Sequence, residues 1–415
     1  MIKQKMKFKK RNNIIIFFLI VVSFLLCNNN EDQYVILVSF DGFRYDYMDR
    51  METPNFDYLE KWGVRAKSLK PIFPSFTFPN HYAIATGCYA DKHKILGNEF
   101  STFLENGEVS RYSYKDKNTV QDAKWYGAEP IWVTAEKNNI VTATYFWVGS
   151  EAPIGGYYPT YYKNYENGIN PKDKVDQAID WLELPIDKRP RLVCLYFNEP
   201  DHAGHVFGPD SDEVNNQIKE SDNILGYLLR SLTKLDIYKK INLVIVSDHG
   251  MVEVSSKKVV NISEYNIPGI IDGKGPLMSV IDTSSIRDTL NNLSIIDNLV
   301  IPNVTFVPSK ENNKLHYDNP MYDFLLVAEE EWMLYKDEHI KKYNGKLPVK
   351  GMHGYYSDNI NMHAIFYAFG PRFKQSKVID TFELIHIYPM ICELLKVEPY
   401  QDIDGRIEVL NPILR

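Results

Sequence analysis

The chain has 415 residues, of which 44% are hydrophobic and 13% aromatic, which is enough for a substantial buried core and too many for one small domain. The formal net charge of −7 gives no basic footprint for nucleic acid, so a duplex-binding role is disfavoured and we expect no stable nucleic-acid partner. One large domain with an insertion, or two unequal lobes, is the expected organisation.

The first 30 residues have the pattern of a targeting segment. The opening MIKQKMKFKKRNN carries five lysines and an arginine, and an apolar run follows from Ile14 to Cys27. This run is shorter than the ~20 apolar residues that span a bilayer, so it predicts a signal peptide or, since no clean small-x-small cleavage site follows, an uncleaved signal anchor. We expect the rest of the chain to be secreted or at the cell surface, with membrane contact only if residues 1–30 are retained.

The cysteines and the glycosylation motifs agree with export. Cys88, Cys194 and Cys392 lie in apolar contexts and are predicted to be buried thiols with at most one disulfide. The sequence also holds three N-x-S/T sequons, at Asn261, Asn292 and Asn303. They fit a secreted glycoprotein if the host glycosylates.

Apolar runs alternate with helix-forming stretches along the rest of the chain. In order, the predicted strands are in YVILVSFDG, LVCLYFNEPD, INLVIVSDHG and MHAIFYAFG, with helices near MDRMETPNFDYLEKWG and EVNNQIKESDNILGYLLRSLTKL. Such strands indicate a mostly parallel central sheet with helices on both faces, so the predicted class is α/β. Residues 252–349 are less periodic and predict an inserted smaller lobe between core segments 31–251 and 350–412.

Acidic residues and a histidine follow three of the predicted strands. Asp41 comes after VILVSF, Asp201 after LVCLYFNEP, and the pair Asp248 and His249 after NLVIVS. In open parallel sheets the ligand site lies beyond the carboxyl ends of the strands, so these side chains should converge on one rim.

The residues near these strand ends form a candidate metal-binding set. Its members are Asp41, Asp201, His205, Asp248, His249 and His363. Carboxylates and imidazoles without cysteine are the ligands of a zinc, or zinc-like, hydrolytic site, and six are too many for one tetrahedral ion. The set therefore predicts two ions, although any one member alone could be a capping aspartate or a surface histidine.

Thr77, in PIFPSFTFPNHY, is the candidate nucleophile. Pro79 suits the first turn of a helix, so Thr77 is predicted beside a helix N-terminus, where free N–H groups and the dipole favour an anion. Thr77 could instead merely cap that helix. A free threonine hydroxyl is a poor nucleophile at neutral pH, but coordination to a divalent cation lowers its pKa and supplies the missing activation.

Six segments of the sequence resemble one enzyme family. In order they are SFDGFR, PSFTFPNHYAIATGCYADKHKILGN, YFWVGSE, NEPDHAGH, VIVSDHGM and NMHAIFYAFGPRF. They resemble the nucleotide pyrophosphatase/phosphodiesterase family of the alkaline phosphatase superfamily, and the resemblance extends from about Tyr34 to Leu410. It implies an alkaline-phosphatase-like fold. Longer family members carry cysteine-rich and nuclease-like additions that are not seen here, so we expect a short member that corresponds to the catalytic domain.

The resemblance implies a distribution of the ligands between two zinc ions. One ion is expected on Asp201, His205 and His363, and the other on Asp41, Asp248, His249 and the oxygen of Thr77. His81, His93 and His353 also stand where family members have histidine. We expect them to be structural or to support the ligands, because the six candidates already fill two sites.

The resemblance also implies the residues that bind the substrate. Asn98 is expected to donate to a phosphoryl oxygen, assisted by the backbone N–H of Phe78. Phe78 and Tyr165 match the aromatic pair that stacks a base, although Tyr165 could be an ordinary aromatic in a tyrosine-rich stretch. Trp147 and Glu151 are expected to line the same wall.

The implied activity is that of an extracellular two-zinc phosphodiesterase/nucleotide pyrophosphatase. Thr77 would form a phosphothreonine intermediate, and nucleoside polyphosphates, dinucleotides or nucleotide phosphodiesters would yield nucleoside monophosphates. Some short relatives hydrolyse choline phospholipids, so a choline-phosphodiester or lysophospholipase C-type activity stays open. A phosphomonoesterase is disfavoured because no arginine flanks Thr77. A non-catalytic extracellular binding protein on the same fold is the alternative from another class. The expected partner is a nucleotide or another phosphodiester small molecule.

Overall fold

An eight-stranded sheet forms the centre of the fold in the computed structural model, which describes residues 32–104, 106–265, 267, 269–281, 300–308 and 314–415. In spatial order its strands are Lys377–Ile379, Val64–Ala66, Phe366–Phe369, Ile241–Val246, Tyr34–Phe40, Leu192–Phe197, Thr142–Tyr145 and Tyr161–Lys163. Of these eight, seven run in one direction and Phe366–Phe369 is antiparallel to both neighbours. The predicted mostly parallel sheet is confirmed.

Helices cover both faces of this sheet. Successive side chains of a strand point to opposite faces, and accordingly Val35 and Leu37 pack into one apolar core whereas Ile36 and Val38 pack into the other. The helices on the first face are Thr77–Thr86, Ile131–Lys137 and Ile387–Leu395, and those on the second are Pro54–Trp62, Pro171–Glu183 and Asp212–Leu232. All seven residues of Tyr34–Phe40 are buried, as a strand covered on both sides requires.

Shorter elements lie around the main sheet. The shorter α-helices in the described ranges are Ala90–His93, Lys117–Val120, Asp201–Phe207 and Asp337–Lys342. Two strand pairs accompany them: Glu99–Phe103 with Val109–Ser113, which is antiparallel, and Leu69–Lys70 with Phe382–Glu383, which is parallel.

Residues 252–349 contain a second, smaller sheet with antiparallel strands. Its spatial order is Ile270–Gly273, Leu277–Ile281, Phe324–Ala328 and Val304–Pro308. Two further pairs flank it: Val259–Asn261 with Met333–Tyr335, and Val252–Glu253 with Gly351–Met352. Val280 and Leu326 belong to an apolar cluster separate from those of the main sheet. Residues 34–415 nevertheless pack as one compact unit, so the limits of the insertion stay a prediction.

The three cysteines of the described chain are thiols. Cys88, Cys194 and Cys392 are all buried and free, as predicted. The predicted signal segment and the sequon at Asn292 lie outside the described residues. Among the helices that the structure describes, none has the length and apolar character needed to cross a bilayer.

Asp222 fixes the start of the helix Pro54–Trp62. The residue before this helix makes no side-chain capping hydrogen bond. Instead, the backbone N–H groups of Asn55 and Phe56 both donate to Asp222 Oδ1 at 3.0 Å, and Asn55 Nδ2 donates to Asp222 Oδ2 at 2.6 Å. Because the first N–H groups of a helix need acceptors, this buried carboxylate from Asp212–Leu232 ties the two helices together.

Replacing Asp222 by alanine should lower the free energy of unfolding by about 2 kcal/mol or more, because two helix N–H groups lose a charged acceptor in a buried place. Glu220, exposed on the same long helix, provides the control: Glu220→Ala should change this free energy by less than about 0.5 kcal/mol. Urea unfolding followed by circular dichroism measures both. Equal effects of the two substitutions would contradict the capping role.

Candidate active site

The carboxyl ends of three neighbouring strands carry the candidate ligands. The strands Ile241–Val246, Tyr34–Phe40 and Leu192–Phe197 lie side by side and parallel. Asp41 directly follows the middle strand, Asp248 and His249 follow the first, and Asp201 begins a helix just after the third. The backbone N–H of Asp201 donates to Asp41 O at 3.0 Å. The structure therefore brings these residues to one rim, as the strand pattern predicts.

Asp201, His205 and His353 form the first group of possible metal ligands. Asp201 and His205 are one turn apart in the helix Asp201–Phe207, so their side chains share a face, and His205 Nε2 lies 3.5 Å from Asp201 Oδ1. His353 directly follows the strand Gly351–Met352. Its Nε2 lies 3.6 Å from Asp201 Oδ1 and 3.2 Å from His205 Nε2. Two distant parts of the chain thus meet in one triangle of donor atoms.

Asp41, Asp248 and His249 form the second group, and Thr77 adjoins it. His249 Nε2 lies 3.1 Å from Asp248 Oδ2 and 3.4 Å from Asp41 Oδ1. Thr77 Oγ1 lies 3.2 Å from the same nitrogen. The rings of His249 and His353 stack with their centroids 3.5 Å apart, so the two groups are neighbours.

The spacing of these atoms fits two tetrahedral cations. Zinc bound at about 2.0–2.1 Å separates its ligands by roughly 3.4 Å, and the distances within the two groups are 3.1–3.6 Å. Asp41 Oδ1, Asp201 Oδ1 and Asp248 Oδ2 are buried and have no hydrogen-bond partner. Since buried polar atoms normally have partners, these are the oxygens that a cation would satisfy.

Backbone carbonyls orient the three histidines of the groups. His205 Nδ1 lies 2.9 Å from Gly351 O, His249 Nδ1 2.9 Å from Gly250 O, and His353 Nδ1 2.9 Å from Ser75 O. A carbonyl oxygen only accepts, so each Nδ1 carries the hydrogen and each Nε2 keeps a free lone pair. All three Nε2 atoms face the groups, as metal ligation requires.

The buried aspartates of the rim repel one another. Burial, followed by the negative charges of Asp248 and Asp201, raises the pKa of Asp41 well above its usual value. Burial also opposes the ionisation of Asp248, but His249 and His81 outweigh it and hold the pKa of Asp248 well below its usual value. A divalent cation placed among these carboxylates offsets such repulsion.

His363 belongs to neither group, so the structure does not place it where we expected a ligand. Its Nδ1 lies 2.8 Å from Ser68 Oγ and its Nε2 lies 3.1 Å from Ser357 O. Both ring nitrogens are therefore engaged away from the aspartates. His353, which we expected to be structural, takes the position of the third ligand of the first group.

One signal for His353 is present in the sequence, because it lies between glycines in GMHG. Gly354 has a φ of +105°, and a Cβ on it would lie 2.1 Å from the ring of Phe76. Only glycine allows this approach. The tight turn presses the His353 loop against the segment that carries Thr77.

Thr77 does not cap the helix that it begins. The cap position of Thr77–Thr86 is Phe76, and no side chain makes a capping hydrogen bond there. The hydroxyl instead lies within hydrogen-bond distance of His249 Nε2, which is an acceptor in the tautomer described above. The contacts therefore favour a functional role for Thr77 over a capping role.

Asn98 lies beside the start of this helix. We expected the backbone N–H of Phe78 to contact a substrate, but it donates to Asn98 Oδ1 at 2.9 Å. This bond leaves Asn98 Nδ2 as the donor, and no described residue accepts from it.

Three aromatic residues lie near the metal groups. Phe78 is 9% exposed and its ring lies 5.6 Å from that of Tyr114, which the sequence pattern did not single out. Tyr165 is 39% exposed. Its ring lies 6.3 Å from that of Tyr196, whose hydroxyl donates to Asp41, so Tyr165 is close to the acidic rim. Burial, followed by the charge of Asp41, raises the pKa of Tyr165.

Glu151 and Trp147 lie behind these aromatics. Glu151 Oε1 accepts from the backbone N–H of Tyr165 at 3.0 Å and so holds the Tyr165 loop. Trp147 is completely buried, and its Nε1 donates to His81 O at 2.9 Å. The structure therefore does not place Trp147 on a substrate-facing wall.

Tyr196 and His81 support the second group, and the sequence pattern did not single out Tyr196. Its hydroxyl donates to Asp41 Oδ2 at 2.5 Å. His81 Nε2 lies 2.8 Å from Ser39 Oγ, and His81 Nδ1 lies 3.2 Å from Asp248 Oδ2. Tyr196 is a tyrosine near the end of the otherwise apolar strand LVCLYF, and this feature of the sequence could have identified it.

Comparison with known proteins agrees with this geometry. Residues 35–356 match the family described as type I phosphodiesterase/nucleotide pyrophosphatase. Venom phosphodiesterase CdcPDE of Crotalus durissus collilineatus is 35% identical over 393 residues, which cover 92% of this chain and 46% of the relative. Ectonucleotide pyrophosphatase/phosphodiesterase family member 1 of Homo sapiens is 34% identical over 396 residues, which cover 92% and 42%. The chain spans less than half the length of these relatives.

Solved structures show the same fold. Murine ectonucleotide pyrophosphatase/phosphodiesterase 5 matches with a TM-score of 0.83 at 28% identity, and the match covers 92% of this chain and 100% of that one. An inactive variant of the murine protein, with a threonine replaced by alanine and in complex with AMP, gives the same values. These matches confirm the predicted alkaline-phosphatase-like fold.

The two histidines near the rim should respond differently to substitution. His353→Ala removes a donor from the first group and should lower the divalent metal bound per chain by about one ion. His363→Ala should leave the metal content unchanged, because its nitrogens contact Ser68 and Ser357. Elemental analysis of the dialysed variants by mass spectrometry measures both. If the His363 variant lost metal and the His353 variant did not, His363 would be the third ligand of the first group.

Proposed function

Because the chain belongs to the type I phosphodiesterase/nucleotide pyrophosphatase family, we propose that it is an extracellular two-zinc hydrolase. Its substrates are nucleoside polyphosphates, dinucleotides or nucleotide phosphodiesters, and its product is a nucleoside monophosphate. The observation that carries the proposal is the Thr77 hydroxyl, which lies 3.2 Å from His249 Nε2 beside carboxylate oxygens that have no partner.

An extracellular location is supported from two directions. The relatives include venom phosphodiesterases and an ectonucleotide pyrophosphatase/phosphodiesterase. The sequence of residues 1–30 also has the pattern of a signal peptide or signal anchor.

Seven residues would hold the two zinc ions. They are Asp201, His205 and His353 for one ion, and Asp41, Asp248, His249 and Thr77 for the other. Oxygen and imidazole donors without cysteine suit hydrolytic zinc. When bound, such ions lower the pKa of a hydroxyl and offset the negative charge of a phosphoryl group.

Thr77 is the nucleophile of the proposed reaction. Its Oγ1 gives up its proton to solvent and attacks the phosphorus, so an Oγ1–P bond forms while the bond between phosphorus and the departing oxygen breaks. The departing oxygen keeps the electron pair and takes up a proton. Water then cleaves the Oγ1–P bond of the phosphothreonine, which releases the nucleoside monophosphate and restores the hydroxyl.

Asn98 and the start of the helix Thr77–Thr86 stabilise the phosphoryl oxygens. Asn98 is held by the Phe78 N–H and can donate through Nδ2. An oriented donor of this kind contributes about 3 kcal/mol to stabilisation of the transition state. The helix of ten residues adds its positive end, because its N-terminus faces the same place as the Thr77 hydroxyl.

The base of the nucleotide is proposed to bind between Phe78 and Tyr165. Tyr114 packs against Phe78, and Glu151 holds the backbone of Tyr165, so both rings are supported. The AMP bound by the inactive murine relative supports a nucleotide as the ligand of this site.

A choline phosphodiester is the second candidate substrate. Aromatic rings beside an acidic rim also attract a quaternary ammonium group, and Phe78, Tyr114 and Tyr165 provide such rings. The metal groups do not distinguish the two substrates, because both present the same phosphodiester to Thr77.

Thr77→Ala should lower kcat roughly 10³-fold or more, because the substitution removes the attacking oxygen. Metal content should stay near that of the unmodified protein, because Asp41, Asp248 and His249 remain. Thr77→Ser keeps a hydroxyl and should retain part of the activity. Hydrolysis rates with a nucleotide p-nitrophenyl ester, alongside elemental analysis, measure these effects, and an active alanine variant would refute the nucleophile.

A comparison of two chromogenic esters identifies the substrate class. Thymidine 5′-p-nitrophenyl phosphate should be hydrolysed with a higher kcat/KM than p-nitrophenylphosphorylcholine, because Phe78 and Tyr165 stack a base over its whole face. A chelator should abolish both activities. The reverse preference would favour the choline phosphodiester, and absence of turnover with either ester would favour a binding protein.

A further inference from the structure

A cavity of about 480 Å³ lies beside the two metal groups. Asn98, His205 and His353 are among its lining residues, as is Tyr114, which packs against Phe78, whereas Phe78 and Tyr165 themselves are not. A phosphodiester at the metal groups has two substituents, and the aromatic pair accommodates only one of them. The cavity is therefore a second place, adjoining the same phosphorus, that can take the other substituent.

One wall of the cavity is formed by the strand pair Glu99–Phe103 and Val109–Ser113. Arg111 on this wall contacts Glu99 at 3.3 Å and Asp272 at 3.5 Å. Lys115 contacts Glu99 at 3.1 Å. The cations of this wall are thus already paired with carboxylates.

The insertion supplies another part of the lining, in which the lysines are not paired in this way. Lys274 and Lys336 both line the cavity, and in the described part of the chain neither has a carboxylate within 4.0 Å. Lys336 Nζ donates to the backbone carbonyl of Ile271. His339 also lines the cavity. Burial lowers the pKa of His339; the charge of Glu338 opposes this, whereas the charges of Lys274, Lys336 and Lys342 add to it.

Glu338 lines the same part of the cavity, but among the described residues it pairs with neither ammonium group. Two ammonium groups without counter-ions attract anions, and a lysine is a compact point charge that suits a phosphate. An uncharged or apolar substituent would leave them without a partner.

We infer that the cavity binds the leaving group and that Lys274 and Lys336 make the site selective for leaving groups that carry phosphate, such as pyrophosphate or a second nucleotide. The inference rests on the proposed function and names the substrate class of the same site. The insertion then determines which leaving groups are accepted, and the residues at the rim of the main sheet carry out the reaction.

The test uses the full chain and two substrates that share the thymidine 5′-phosphoryl group. The leaving group of TTP is pyrophosphate, and that of thymidine 5′-p-nitrophenyl phosphate carries no phosphate. We compare the ratio of kcat/KM for TTP to kcat/KM for the ester. In the double variant Lys274→Gln/Lys336→Gln this ratio should fall about tenfold or more, because two charged contacts to the leaving group are lost.

Three variants serve as controls. Lys342 is the third lysine whose charge affects His339, and Lys342 does not line the cavity. Lys342→Gln should therefore leave the ratio unchanged. Lys274→Arg keeps the charge and should keep the ratio within about twofold. Lys274 is exposed, so Lys274→Gln alone tests the inference if loss of the Lys336 contact to Ile271 unfolds the double variant.

The outcomes separate the two proposals. A ratio that stays within about twofold in the glutamine variants, or that falls equally in Lys342→Gln, overturns the role of the cavity while turnover of the ester upholds the proposed function. If the unmodified chain hydrolyses neither substrate, the proposed function fails and the inference fails with it.

Discussion

Three carboxylates, each with a buried oxygen, within one rim are the constraint on which the rest of the site depends. Asp41, Asp201 and Asp248 each keep such an oxygen without a hydrogen-bond partner, and burial, followed by the charges of Asp248 and Asp201, raises the pKa of Asp41. Such a cluster opposes folding unless cations neutralise it, so metal binding and the stability of the rim are coupled. The surrounding donors serve this cluster: histidines present Nε2 to it, and backbone carbonyls fix their rings.

The parallel sheet explains why so much of the rim could be predicted from the sequence. An apolar run marks each central strand, and the strand end then fixes the position of the next polar residue, which is why Asp41, Asp248 and His249 were found. His353 follows no long apolar run, because it reaches the site from a turn after the insertion, and its local signal is the neighbouring Gly354. His363 stands shortly before the strand Phe366–Phe369 and resembles a rim residue in sequence, but its ring contacts Ser68 and Ser357.

Tertiary packing determines which aromatic residues are exposed near the site, and the sequence alone does not show it. Trp147 is fully buried behind His81, whereas Tyr114 is 43% exposed and lies against Phe78. The apolar neighbours of Trp147, Phe146 and Val148, agree with its burial, but no feature of the sequence places Tyr114 against Phe78. The sequence likewise does not show which cations of the cavity are paired. Glu99 is near Arg111 in the sequence, but Asp272, which also contacts Arg111, lies 161 positions away from it.

The short strand pair Val252–Glu253 and Gly351–Met352 joins the two ends of the insertion immediately beside His353. The base of the lobe is therefore clamped, and the chain between the two strands can lengthen, shorten or change in composition without displacing the ligand. Lys274 and Lys336 belong to that variable part. Substitutions within the insertion can therefore change which leaving groups are accepted and leave the metal ligands in place, because the two residue pairs of this strand pair hold the ends of the insertion together.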